Sequence, residues 1–114
     1  MNAIRTKSGR VSMRAIRAVV QQIVDQWHPE KVILFGSHAY GKPTVDSDVD
    51  LLVIMPVTED RGILTGRIRA GLRPGFGIDL LVRSPETARE RAKIDGTVIA
   101  DAFRRGLVLY ETGY

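Results

Sequence analysis

The tightest constraint on this 114-residue chain is a set of short apolar runs, each too short for a helix and each closed by a turn signal. Residues 32–35 (VILF) run into Gly36-Ser37, and residues 51–55 (LLVIM) run into Pro56. Residues 80–82 (LLV) stand just ahead of Ser84-Pro85. A wholly apolar run of this length reads as a buried strand. Strands are therefore predicted over 32–35, 48–54 and 78–82, with a last short one over 107–110. Helical spacing fills the intervals. Val11, Met13, Ile16, Val19, Val20, Ile23, Val24 and Trp27 recur every three to four residues, which predicts an amphipathic helix capped by Ser8 or Ser12 and stopped by Pro29. A weaker helix is expected over 59–72, with Leu64, Ile68 and Leu72 on one face; Gly62, Gly66 and Gly71 each cost it ~1 kcal/mol relative to alanine. Ser84-Pro85 starts another helix. Ile94, Val98, Ile99, Ala102 and Phe103 predict one more, ending at Gly106. The fold class is α/β in a single domain, residues 10–114, preceded by a flexible basic arm, residues 1–9.

Composition narrows the function classes. Apolar residues at 44% and charged residues at 26% are ordinary for a globular domain, and roughly two-thirds of the surface of such a chain is buried on folding. The absence of cysteine excludes disulfides and thiolate metal sites and fits a cytoplasmic location. No run approaches a membrane span, and no apolar stretch follows the basic N-terminal residues, so neither a membrane segment nor a secretory signal is expected. The formal charge of +4 suggests nucleic acid until its distribution is examined. Arg5, Lys7, Arg10, Arg14 and Arg17 lie in the first 17 residues, which hold no acid, leaving 12 bases against 13 acids elsewhere. The excess belongs to the arm and the start of the first helix.

The chemistry is concentrated in residues 36–53 (GSHAYGKPTVDSDVDLLV). Asp48 and Asp50, two apart in a predicted strand, leave the same face roughly 6.5 Å apart along the backbone. Two carboxylates on one face repel unless something positive lies between them, and a divalent cation with oxygen ligands is the simplest resolution. Asp79 opens another apolar strand. If the strands are neighbours, three carboxylates converge, enough for the two magnesium ions of phosphoryl transfer. Gly36-Ser37, at a strand end, offers backbone N–H groups and a hydroxyl to a phosphate. Alone, each piece reads as a turn or a solvated strand entry; together, in this order, they read as a triphosphate and metal site. Residues 36–42 also satisfy the opening of a P-loop, G-x-x-x-x-G-K. Pro43 stands where a Ser or Thr should hold magnesium and removes an N–H from the cradle, so that reading fails. His38 reads as a surface-loop residue, His28 as a structural residue at a helix end, and Tyr110 as packing.

Gly36-Ser37-His38-Ala39-Tyr40-Gly41, then Ser47-Asp48-Val49-Asp50-Leu51, then Asp79-Leu80, resemble the motifs of the minimal nucleotidyltransferases in the DNA polymerase β-like superfamily. The resemblance covers most of the chain. It implies a mixed sheet of about four strands with helices packed against it. Asp48, Asp50 and Asp79 would be the catalytic, metal-binding carboxylates for two Mg2+ ions, and Gly36, Ser37, Lys42 and Ser47 would bind the nucleotide. It also implies transfer of AMP from ATP to a hydroxyl. Many such proteins resemble antitoxins that bind a HEPN-type RNase toxin and adenylylate it on tyrosine, with a homodimer or a hetero-oligomer as the assembly. Many relatives carry Arg before the second glycine, where this chain has Tyr40; Lys42 would supply a point charge in place of that fork. Two rival readings are a binding module that neutralises its partner by contact alone and a nucleic-acid-binding regulator that uses the basic arm. Since the catalytic core occupies most of this length, the acceptor is expected to be a separate macromolecule.

Overall fold

The computed structural model describes residues 4–6 and 10–113; Lys7, Ser8 and Gly9, part of the expected arm, lie outside the described residues. The elements run α1 (Met13–Trp27), β1 (Lys31–Phe35), α2 (Ser37–Tyr40), β2 (Val49–Ile54), α3 (Arg61–Ala70), β3 (Ile78–Arg83), α4 (Pro85–Ala92), α5 (Val98–Arg105) and β4 (Leu107–Glu111). Local chemistry sets their ends. The Ser12 hydroxyl accepts the Ala15 N–H at 3.1 Å and starts α1. His28 closes that helix in the left-handed region (φ 48°), its N–H donating to the Val24 carbonyl at 3.0 Å. Asp60, Ser84 and Thr97 cap α3, α4 and α5 in the manner of Ser12.

Two helices differ from their sequence-based bounds. The helix expected over 59–72 is confined to Arg61–Ala70, because Asp60 uses its side chain as the cap and so stands outside. Ile94 is 53% exposed and precedes α5; Gly96 takes φ 86° and Thr97 begins the helix anew. At the N-terminus, Arg5 bridges Val11 in antiparallel fashion, and the Ser12 N–H donates to the Ile4 carbonyl at 2.6 Å. Val11 thus belongs to a short pairing ahead of α1 and is itself in the core.

The sheet order is β3-β2-β1-β4, with β1 antiparallel to both β2 and β4 and β2 parallel to β3, so the sheet is mixed. Strand side chains alternate between faces, and here the alternation divides two cores. Val32, Leu34, Val49, Leu51, Val53, Leu80 and Val82 pack with α1 and α3. Ile33, Phe35, Leu52 and Ile54 pack with Ala88 of α4 and Ile99 and Ala102 of α5. Burial on both sides explains the unbroken apolar runs. On the second face, Asp50 of β2 is half-buried and Asp79 of β3 is exposed. Among the described residues, no helix is long and apolar enough to cross a membrane.

Candidate active site

Asp50 stands on β2 two residues before Leu52, on the face of the second core, and its register partners are Phe35 on β1 and Asp79 on β3. Parallel neighbours lie about 4.8 Å apart, so Asp50 and Asp79 share one rung and one face. Asp48 precedes β2, where the Val49 N–H donates to the Gly77 carbonyl at 2.9 Å and continues the ladder. The register brings Asp50 and Asp79 together, and Asp48 stands two residues before Asp50, just outside the strand.

Glycine makes the convergence possible. Gly36 follows β1 at φ 73°, where side chains are rarely tolerated, and a Cβ there would strike the Asp50 carboxylate. A Cβ on Gly77 would likewise strike the Asp48 carboxylate. Ser37 begins α2, whose first N–H groups have no partner within so short a helix; the Gly36 carbonyl receives the N–H groups of Ala39 (3.0 Å) and Tyr40 (3.1 Å). Gly36, Ser37 and Asp50 are therefore gathered at the end of β1.

The electrostatics at Asp50 are those of one carboxylate held among others. The Asp50 carboxyl is pushed up from 3.8 to about 6, first by burial and then by Asp79 and Asp48. Among the described residues, no three His, Cys, Asp or Glu side chains, as placed, form a group that could hold an ion. The donor chemistry does fit a hard divalent cation, since all three groups are carboxylates and their mutual repulsion is what such a cation would relieve.

The remaining candidates are placed less directly. The Ser47 hydroxyl accepts the Thr44 N–H at 2.9 Å and lies 3.3 Å from the Thr44 hydroxyl, which holds the loop before β2. Lys42 is exposed and follows Gly41, at the opposite end of α2 from Gly36. Two features were missed in the sequence. His38, expected at the surface, is 3% exposed, because α2 is wedged between the cores by Ala39 on one side and Tyr40 on the other. Burial, then Arg10, hold its imidazole below the usual histidine range, with Arg5 adding to them and the Asp48 main chain opposing. The guanidinium of Arg10 also donates to the His38 carbonyl at 3.3 Å, so part of the basic arm is turned onto α2. The second missed feature is Arg105, whose guanidinium lies 4.2 Å over the Tyr40 ring. It brings a fork-shaped cation beside Tyr40.

Comparison with known proteins gives the same picture. Residues 14–106 match the family model of the nucleotidyltransferase domain. A chain from Methanocaldococcus jannaschii, provisionally named a protein adenylyltransferase, is 30% identical over 99 residues, covering 85% of this chain and 96% of its own length. A crystal structure of a provisionally named nucleotidyltransferase from Sulfolobus solfataricus superimposes with a TM-score of 0.58 at 18% identity, covering 86% of this chain and 78% of that one. A toxin-antitoxin crystal structure with AMP-PNP gives 0.54 at 20% identity, covering 85% and 74% respectively. At these identities the two structures establish a shared fold.

Proposed function

Because the chain belongs to the nucleotidyltransferase domain family and is a nucleotidyltransferase, we propose that it transfers AMP from ATP, with magnesium, to a hydroxyl of a partner protein in the cytoplasm. The acceptor we propose is a tyrosine of a HEPN-type toxin, which makes this chain the antitoxin. The observation that carries the chemistry is the shared rung of Asp50 and Asp79, opened by Gly36. The protein acceptor is supported by the name of the Methanocaldococcus relative, and the toxin by the fold shared with a toxin-antitoxin structure.

Each residue has a part in this scheme. Asp48, Asp50 and Asp79 would hold magnesium, which neutralises charge on the reacting phosphate. Gly36 lets the backbone approach the phosphates, and the N–H groups and hydroxyl at Ser37 bind them. Asp79, exposed on β3, accepts a hydrogen bond from the attacking hydroxyl. His38 holds α2 in place as a neutral, buried group.

The test is to incubate the chain with its copurifying partner, ATP and magnesium, and to weigh the partner by mass spectrometry. An adenylyl adduct on tyrosine, lost in Asp48→Ala and Asp79→Ala, is expected. An adduct that survives both substitutions would refute the mechanism. Neutralisation of the partner without any adduct would favour inhibition by contact.

A further inference from the structure

Beside the carboxylates, on the same face of the sheet, lies a cavity of about 470 Å³, of whose lining the proposed chemistry uses Asp79 alone. Its lining takes in Asp79, Leu81 and Arg83 of β3, residues of α4 and α5, and Phe35 at the end of β1. Its floor is apolar, with Phe35 and Leu81 among the lining residues, and its rim carries three guanidinium groups, Arg61, Arg83 and Arg91. Three different elements supply these arginines: the start of α3, the end of β3 and α4. Among the described residues, the ion pairs engage Lys31, Arg67 and Arg104, and none involves the cavity arginines. Arg83 spends one N–H on the Val82 carbonyl at 2.8 Å. Its guanidinium is held below the ordinary arginine range by burial and then by Arg61 and Arg91, so the three cations act on one another. Asp79, at the mouth, is the one acid among the lining residues. Three converging cations with no ion pair among the described residues are kept at a cost in repulsion that a bound anion would remove. Guanidinium forks match phosphate oxygens in shape and charge.

We propose that this cavity is a second phosphate-binding site, on the acceptor side of Asp79, which takes a phosphoryl group borne on an aromatic or other flat apolar moiety. The side follows from the sheet order. In phosphoryl transfer the attacking and leaving oxygens lie roughly in line. With the leaving phosphates at the β1–α2 turn, the nucleophile arrives across β2 from the β3 side, where the cavity opens. That assignment of sides rests on the function proposed above; the existence of the anion site does not. The phosphate has two conceivable sources, a modified acceptor and the nucleotide's own triphosphate, and they are separable.

The probe is phenyl phosphate, which offers one ring and one phosphate, titrated calorimetrically into the full chain with EDTA present. Saturable binding is expected, weakened at least about ten-fold in Arg61→Gln/Arg91→Gln, both exposed positions whose replacement leaves the core intact. Magnesium-ATP binding by the same variant should change by less than about two-fold. Absent binding, or binding indifferent to these arginines, overturns the proposal. Parallel loss of ATP affinity also overturns it, by making the cavity the triphosphate's seat. Arginine-dependent phenyl phosphate binding in a chain that transfers no nucleotide would sink the transferase mechanism and keep the anion site.

Discussion

Asp50→Asn should make the protein more stable and destroy its activity. At neutral pH the wild-type carboxyl, raised from 3.8 to about 6, is ionised against its surroundings. Each tenfold change in proton affinity is worth about 1.4 kcal/mol, which bounds the unfavourable energy at about 3 kcal/mol. The group is partly exposed, and solvent screening reduces this to roughly 1–2 kcal/mol. Asparagine keeps the shape, drops the charge and offers an amide to Asp79. For a chain of this length the gain corresponds to a rise of roughly 4–10 °C in Tm. The sign with pH follows from proton binding: between 3.8 and about 6 the folded state holds more protons than the unfolded, so wild-type stability at Asp50 increases as pH falls through 6. The advantage of Asp50→Asn is therefore full at pH 7 and above and fades toward pH 4. Melting followed by circular dichroism in EDTA and low salt, wild type against variant across that range, reads the difference directly, and contributions from groups remote from Asp50 cancel in it. An equal or lower Tm for the variant at pH 7, or a difference that does not shrink on acidification, would refute the electrostatic account of the site.

Further outcomes follow from neighbouring residues. Magnesium should raise the Tm of the wild type and leave Asp50→Asn unmoved, measured by the same melts with and without the ion; equal shifts would place the ion elsewhere. Gly36→Ala combines a left-handed backbone with a Cβ driven against the Asp50 carboxylate, and should cost roughly 1–3 kcal/mol in denaturant unfolding together with most of the transfer activity. His38 is buried neutral, so its contribution is present above its unfolded value of 6.5 and lost as pH falls below it. His38→Leu should accordingly unfold less readily than wild type between pH 5 and 6, checked by urea titration at fixed pH values in that window.

The parts of the fold that could be read from sequence were those governed by a local period. The apolar runs gave the strands, and Ser12, Ser84 and Pro29 marked helix ends because capping and φ restriction act over one turn. The carboxylate cluster was legible as far as spacing reaches: Asp48 and Asp50 share a face by alternation, whereas the approach of Asp79 depends on β2 and β3 being parallel neighbours in one register. The burial of His38 depends on α2 lying between two cores, which no local pattern announces. The cavity arginines were within partial reach, since Arg83 has the parity of Asp79 and Leu81 and so falls on their face. Arg61 and Arg91 join it only through the packing of α3 and α4. Ile94 misled because Gly96 and Thr97, a turn and a cap, interrupt a periodicity that otherwise looks continuous.

The division of β2 between two cores has a bearing on how such a site can be lost in descent. Inserting or deleting one residue within β2 would bring Asp50 into the apolar layer beneath α1 and α3 and expel Leu51 and Val53, both fully buried. Chain and site would fail together, and selection for a folded protein would purge the change. Point substitution of a carboxylate has no such penalty, and at Asp50 it relieves repulsion. A folded but silent descendant is therefore one nucleotide change away and downhill in stability, so the persistence of all three carboxylates in a lineage reports continuing demand for the reaction itself.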